Sequence, residues 1–251
     1  MSIRAVFFDM DGVIIDTERD GHRPAFNMTF KEFGFSDDWS VDYYHELIQI
    51  GGGKERLKHH LKTKGFSKPV RPEEADKLIQ DMHKRKTALF VDLIASGNLQ
   101  LRPGVHRFMK EAMDAGLTMA VCTTANEQAV HAVLEKALSD IKFDVVLAGD
   151  VVAKKKPDPE IYNLALAKTT VQPEQAFVVE DSRIGVLATK AAGLRVVVTT
   201  NYYTQNEDVS GGDIIVTCLG DPQGTRGELR KGAFKFDGVL RLNQVLRYFE
   251  K

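Results

Sequence analysis

Hydrophobic positions fall into two textures along the chain. Short unbroken apolar runs, beginning with Ala5-Val6-Phe7-Phe8 and resuming after Arg102 as LTMAVC, DVVLA, AFVV and LRVVVTT, alternate with amphipathic stretches such as GVHRFMKEAMDAG, NEQAVHAVLEKAL, PEIYNLALAK and RIGVLATKAAG. An apolar run without polar alternation predicts a strand buried on both faces, as in a parallel sheet covered by helices. Strands and helices in alternation predict a doubly wound α/β sheet. Between residues 19 and 96 the strand signal vanishes, and helical patterns with long charged faces take over: RDGHRPAFNMTFKEFG, VDYYHELIQI, KERLKHHLKTKG and EEADKLIQDMHKRKTALFVDLIAS. The pattern predicts a helical domain at 17–96 inserted into a core of 1–16 and 97–251, with linkers near Ile15 to Thr17 and Gly97 to Pro103. The stretch from Tyr202 to Gly232 is rich in Gly, Asp, Asn and Thr, and predicts surface loop around one short strand, IIVTC.

Composition acts mainly by exclusion. With 251 residues, 43% of them hydrophobic, the chain can bury a sizeable core. A formal net charge of −1 gives no general pull toward nucleic acid or a membrane surface, so any attraction for phosphate must be local. No apolar stretch approaches the roughly 20 residues that span a bilayer, and no charged-then-apolar leader precedes the first strand. The expectation is a cytoplasmic protein, or the mature form of one from the plastid stroma, acting as a monomer. Cys122 and Cys218 sit in apolar runs and read as reduced, buried thiols in strands.

Four polar clusters follow the predicted strands or open the predicted helices. Asp9 and Asp11 end the first strand, with Gly12 allowing a sharp turn behind them; one carboxylate can attack while the other moves protons or helps to hold a metal. In an open α/β sheet ligands bind at the carboxyl edge of the strands. An Asp-Gly turn without function is the plainer alternative. Thr123, Thr124 and Asn126 offer a hydroxyl and free amides at a helix start, which suits a phosphate cradle and equally suits an ordinary helix cap. Lys154, Lys155 and Lys156 precede Pro157-Asp158-Pro159. Pro157 biases Lys156 toward an extended backbone, so Lys156 is the candidate held ammonium, while Lys154 and Lys155 read as solvated surface. Glu180 and Asp181 are adjacent carboxylates that repel one another unless a cation lies between them, and Mg2+ suits oxygen ligands of this kind. A helix cap by Asp181 or Ser182 is the alternative there.

The strings FFDMDGVIIDTE, VCTTAN, KKKPDPEIY and VVEDSRIG, in that order, resemble the haloacid-dehalogenase-like phosphohydrolases, whose Rossmann-like core carries a helical cap after the first motif. The resemblance implies Asp9 as a nucleophile forming an aspartyl-phosphate and Asp11 as acid and base. It implies Thr123 and Lys156 on the phosphoryl group, and Mg2+ held by Asp9, the Asp11 backbone carbonyl and one or both of Glu180 and Asp181. Within the cap, DTERDGHRPAFN, IQIGGGKERL and HKRKTALF resemble the CbbY group, phosphatases related to β-phosphoglucomutase that act on xylulose 1,5-bisphosphate. Met10 and Ala125 are tolerable departures from the motifs.

The cap residues fit a phosphosugar on physical grounds as well. Gly51, Gly52 and Gly53 can bring amides close to an anion, with Lys54 and Arg56 opening the next helix beside them. Glu18 and His22, four apart on a helix, can read sugar hydroxyls. The reading is a magnesium-dependent phosphatase for a small phosphosugar. A phosphomutase of the same architecture, a metal-independent dehalogenase and a non-catalytic phosphosugar-binding protein are the alternatives; Asp11, Glu180 and Asp181 weigh against the last two.

Overall fold

The computed structural model describes residues 2–50, 52–97 and 99–250. Gly51, part of the expected anion-binding glycine run, lies outside the described residues. The chain forms two compact units, one running up to Asp16 and again from Gln100, the other spanning Thr17–Leu99.

The first unit is built on a seven-stranded sheet of β1 (Ala5–Phe8), β2 (Thr118–Cys122), β3 (Val145–Leu147), β4 (Ala176–Glu180), β5 (Arg195–Thr199), β6 (Ile214–Val216) and β7 (Leu229–Lys231), in the spatial order β3-β2-β1-β4-β5-β6-β7. All neighbours pair in parallel except β6 and β7. The order is that of a Rossmann-like, doubly wound sheet, whose ligand crevice opens where the strand sequence reverses, here around β1. Phe8 lies in register with Val121 of β2 and Val179 of β4, so the carboxyl ends of these three strands are level.

Unbroken apolar runs form these strands because both faces of the sheet are covered. Successive side chains on a strand point to opposite faces. Phe7 and Val178 join a core with Ile161, Tyr162, Val186 and Ala188. Their neighbours Phe8 and Phe177 instead pack edge-on against Phe108, and Phe177 also meets Phe249.

In the second unit, a π-helical turn, Thr17–His22, leads into α1 (Arg23–Glu32), α2 (Val41–Ile48), α3 (Gly53–Thr63) and α4 (Pro72–Ala95). One continuous helix was expected from Arg19. Pro24 lies in the first turn of α1 and lacks the N–H that would bond back to residue 20, which accounts for the break in register. The wider turn lets Gly21 lie against the Phe90 ring, 2.8 Å from where a Cβ would stand. His22 stacks on the same ring at 3.8 Å. The unit's core is aromatic: Phe26, Phe30, Trp39 and Tyr44 are fully buried. Asn27 clamps Trp39 by accepting from its N–H at 2.8 Å and donating to its carbonyl at 3.1 Å. No helix among the described residues is long and apolar enough to cross a membrane.

Helices α5 (Val105–Asp114), α6 (Glu127–Ala137), α7 (Glu160–Thr169), α8 (Arg183–Ala191) and α9 (Leu242–Phe249) complete the first unit. The region after Tyr202 is more ordered than its composition suggests. Strand β6 stops at Val216, so Cys218 is buried in the segment beyond it and not in a strand as expected. β7 adds an unexpected antiparallel edge, whose Arg230 and Lys231 are exposed and give no apolar pattern to read.

The start of α5 is stitched to this C-terminal segment. Gly104 caps the helix with φ 84°, its N–H donates to the Asp221 carboxylate at 2.8 Å, and a Cβ would collide with the Gly220 backbone. Arg107 donates to the carbonyls of Leu219, Gly220 and Leu240 at 3.0, 2.9 and 2.9 Å. Gly104→Ala therefore meets both left-handed strain and a backbone clash, and is expected to destabilise the protein by more than about 1 kcal/mol. Urea unfolding followed by circular dichroism checks this; an unchanged midpoint would contradict the stitch.

Candidate active site

Three strand ends deliver the chemistry. The N–H of Asp9 extends the β1 ladder by donating to Val179 at 3.0 Å, which places its carboxylate just past the sheet edge. Glu180 is the last residue of β4, Asp181 follows it, and Thr123 follows β2, its N–H bonded to Leu147 at 3.0 Å. Asp9, Thr123, Glu180 and Asp181 are all buried.

Lys156 joins them from the loop before α7. Its ammonium donates to Asp9 Oδ1 at 2.7 Å, to Glu180 Oε1 at 2.6 Å and to the Cys122 carbonyl at 3.2 Å. The Lys156-Pro157 peptide is cis, and Lys154 and Lys155 are exposed and pair with Asp158 and Asp150. Burial works against the Lys156 charge, but Asp9 and Glu180 outweigh it and hold the pKa well above its ordinary value. Glu180 accepts two further hydrogen bonds: Oε1 also accepts from the Tyr162 hydroxyl at 2.5 Å, and Oε2 accepts from the Asp181 N–H at 3.1 Å. Burial and the Glu180 charge raise the Tyr162 pKa far above normal, so Tyr162 stays a donor. Cys122, its thiol pKa also pushed up by burial, is inert at this edge.

Carboxylate oxygens of Asp9, Glu180 and Asp181 lie within 4.8 Å of one another. Burial, assisted by Glu180 and Asp11 and opposed by Lys156, raises Asp9 to about 7. Burial together with Glu180 and Asp9 raises Asp181 as well. One ammonium facing three buried carboxylates leaves excess negative charge, and the hard oxygen donors suit a divalent cation. Glu180 already accepts three hydrogen bonds, so Asp9 and Asp181 have more acceptor capacity left to meet such an ion directly.

Asp11 is half-buried and bridges to Ile15, and its side chain is not one of the three converging carboxylates. Gly12 turns the chain with φ 78°, and a Cβ there would collide with Asp181. Thr123 Oγ1 accepts from the Ala125 N–H at 3.1 Å, which leaves its own proton for another acceptor. Thr124 is half-buried nearby in sequence. Asn126 is exposed and caps α6, its oxygen accepting from Gln128 and Ala129 at 3.0 and 3.3 Å. That oxygen is committed to the helix.

Two further residues hold the site without a sequence pattern that marks them: Tyr162, inside KKKPDPEIY, and the buried Arg102, which donates to the carbonyls of Gly12, Thr199, Thr200 and Thr217. A single arginine beyond a linker carries no pattern.

In the helical unit, Glu18 accepts from the Tyr44 hydroxyl at 2.6 Å and from Arg56 at 3.4 Å, while Arg56 donates to Tyr44 at 2.7 Å and to the Ile50 carbonyl at 3.0 Å. Burial pushes the Glu18 pKa up, but Arg56, Tyr44 and Lys86 help to hold it below normal. Lys86, inside the string HKRKTALF, lies 2.6 Å from His22 Nδ1. Burial lowers His22 to about 3 and Lys86 to about 8, so at neutral pH a charged Lys86 donates to a neutral imidazole. Lys54 is exposed at the start of α3, and a Cβ on Gly53 would come 2.8 Å from the His83 ring. At Gly52 (φ 95°) the place of a Cβ is taken by the Glu55 carboxylate, which folds back over the helix N-terminus where an anion was expected.

Residues 3–193 match the haloacid dehalogenase-like hydrolase family. Over 229 residues the chain is 46% identical to a CBBY-like protein of Arabidopsis thaliana, covering 90% of this chain and 72% of that protein. It is 40% identical over 229 residues to protein CbbY of Cereibacter sphaeroides, covering 90% and 96%. The crystal structure of a mutant CbbY from Rhodobacter sphaeroides in complex with xylulose-(1,5)bisphosphate superposes with a TM-score of 0.69 at 39% identity, over 88% of this chain and 97% of that one. With the family match covering both the carboxylate edge and the helical insertion, this chain belongs to the haloacid dehalogenase-like hydrolases.

Proposed function

We propose that the protein is a magnesium-dependent sugar-phosphate phosphatase that works through an aspartyl-phosphate on Asp9, with a sugar bisphosphate such as xylulose 1,5-bisphosphate as substrate. The observation that carries the reading is the ammonium of Lys156 bound to Asp9 Oδ1 while Asp9, Glu180 and Asp181 converge beside it. Asp9 attacks phosphorus as the bond to the sugar oxygen breaks, and Asp11 delivers a proton to that oxygen. Asp11 then takes a proton from water as the water attacks the phosphoryl group, which releases inorganic phosphate and restores Asp9. Lys156 offsets charge on nucleophile and phosphoryl oxygens together, and the Thr123 hydroxyl donates to one of those oxygens, with Thr124 beside it. Mg2+, held by Asp9, the Asp11 carbonyl and Asp181 with Glu180 behind, supplies charge neutralisation that lets an anionic substrate approach an anionic nucleophile.

The helical unit contributes recognition. Lys54, Arg56 and Lys86 supply positive charge for the second phosphate, with Gly52 and Gly53 at the start of α3 once the Glu55 carboxylate moves aside. Glu18 and His22 read the hydroxyls. The relatives described above include a CbbY bound to a sugar bisphosphate, which supports this choice of substrate.

Protons and metal compete for the same carboxylates. Because Asp9 is raised to about 7, the metal-free folded protein holds a proton between about pH 4 and 7 that the unfolded chain has released, so its stability falls as pH rises through that window. Magnesium binding must displace such protons. The apparent magnesium affinity is expected to weaken about tenfold per pH unit below 7 for each proton released. Titration calorimetry in two buffers of different ionisation enthalpy checks this; a pH-independent affinity with no proton release would contradict it.

Phosphate release from xylulose 1,5-bisphosphate tests the substrate. Lys54→Ala and Lys86→Met are each expected to cut kcat/KM for the bisphosphate by about tenfold or more, the worth of a hydrogen bond to a charged group, while leaving p-nitrophenyl phosphate hydrolysis within about twofold. Equal losses on both substrates would point to a phosphatase without a second anion site.

A further inference from the structure

Asn201 stands eight residues past the end of the family match at residue 193, on the segment that leaves β5. Its side chain can be oriented from its partners. The oxygen accepts from the backbone N–H groups of Tyr203 at 2.8 Å and Thr204 at 3.1 Å, so the amide nitrogen is the atom facing the candidate site. That nitrogen donates to Asp181 Oδ2 at 2.6 Å. The backbone beneath is fixed as well: the Asn201 N–H donates to Thr204 Oγ1 at 3.0 Å, and Arg102 holds the carbonyls of Thr199 and Thr200 at 2.9 and 2.7 Å. Gly12 makes room for the pair, since a Cβ there would collide with Asp181 and stand 2.6 Å from Asn201 Nδ2.

We infer that Asn201 is a positioning residue for the magnesium site: its amide donor fixes the Asp181 carboxylate, so that one oxygen is anchored and the other is presented to the ion. The inference rests on the reading of Asp181 as a magnesium ligand. The need for an anchor is electrostatic. Asp181 lies beside Glu180 and near Asp9, both of which repel it, while Lys156 bonds to those two carboxylates. A donor on Oδ2 selects one orientation against that repulsion. Groups that orient metal ligands from behind typically change metal affinity by about 10- to 100-fold when removed.

The test is magnesium binding to the full-length, metal-stripped protein by titration calorimetry, with no turnover involved. Asn201→Ser keeps a neutral oxygen for the two loop amides and removes the amide N–H that reaches Asp181, the shorter hydroxyl ending short of it. Thr204→Val weakens the loop while leaving the amide of Asn201 in place. Asn201→Ser is expected to raise the magnesium Kd about tenfold with its melting temperature near that of the native protein, and Thr204→Val to leave Kd within about twofold. Asn201→Ala reads the same loss if the serine variant does not fold. An unchanged Kd in Asn201→Ser, with Asp181→Asn losing magnesium, would overturn the positioning role alone. Equal weakening by Thr204→Val and Asn201→Ser would also overturn it, because loop integrity and not the amide would then govern the ion. Wild-type affinity in Asp181→Asn would instead remove the reading of Asp181 as ligand.

Discussion

Lys156 carries a full positive charge to a place where water cannot solvate it, and the local structure follows from what that requires. A buried ammonium is costly unless its protons are taken up and its charge is matched. Asp9, Glu180 and the Cys122 carbonyl take the three protons, and the Tyr162 ring lies 5.1 Å below. Each partner is bound in turn, Glu180 by Tyr162 and the Asp181 amide, and Asp181 by Asn201. Removing one member of such a network leaves an uncompensated buried charge, a loss of about 3 to 5 kcal/mol in comparable cases. The remaining imbalance, three carboxylates against one ammonium, is what a divalent cation would relieve.

The parallel sheet makes the cluster possible. Because β1, β2 and β4 are adjacent and level, residues that follow them in sequence meet in space although Asp9 and Glu180 are far apart along the chain. This was legible from the sequence: a run apolar on both faces specifies a covered parallel strand, and polar residues just past its end must emerge on one edge. The same logic extends to Asn201, two residues past the end of β5, although a lone asparagine opening a loop-rich stretch looks like turn chemistry. Arg102 and Tyr162 were illegible for a different reason. Their role comes from long-range bonds to carbonyls and to Glu180, and neither spacing nor periodicity encodes such contacts.

In the helical unit the sequence conveyed the helices but not their internal pairing. The Arg56 guanidinium, a candidate for the second phosphate, is also held by Glu18, Tyr44 and the Ile50 carbonyl, pairings that no local pattern conveys. Lys86 comes to His22 because α4 packs along the π-helical turn, a meeting set by Gly21 and Phe90 and not by local pattern. At the other end of the first unit, β7 was missed because an exposed edge strand of Leu, Arg and Lys has no apolar alternation to betray it.

The proposed chemistry turns on Asp9 accepting the phosphoryl group while Lys156 holds its other oxygen. Rapid mixing of the magnesium-loaded protein with substrate labelled in the phosphate to be released, followed by acid quench and peptide mapping, reads this directly. The label should appear transiently on the peptide containing Asp9, at a rate no slower than turnover. Steady phosphate release with no labelled Asp9 at any quench time, or label on a different residue, would contradict it.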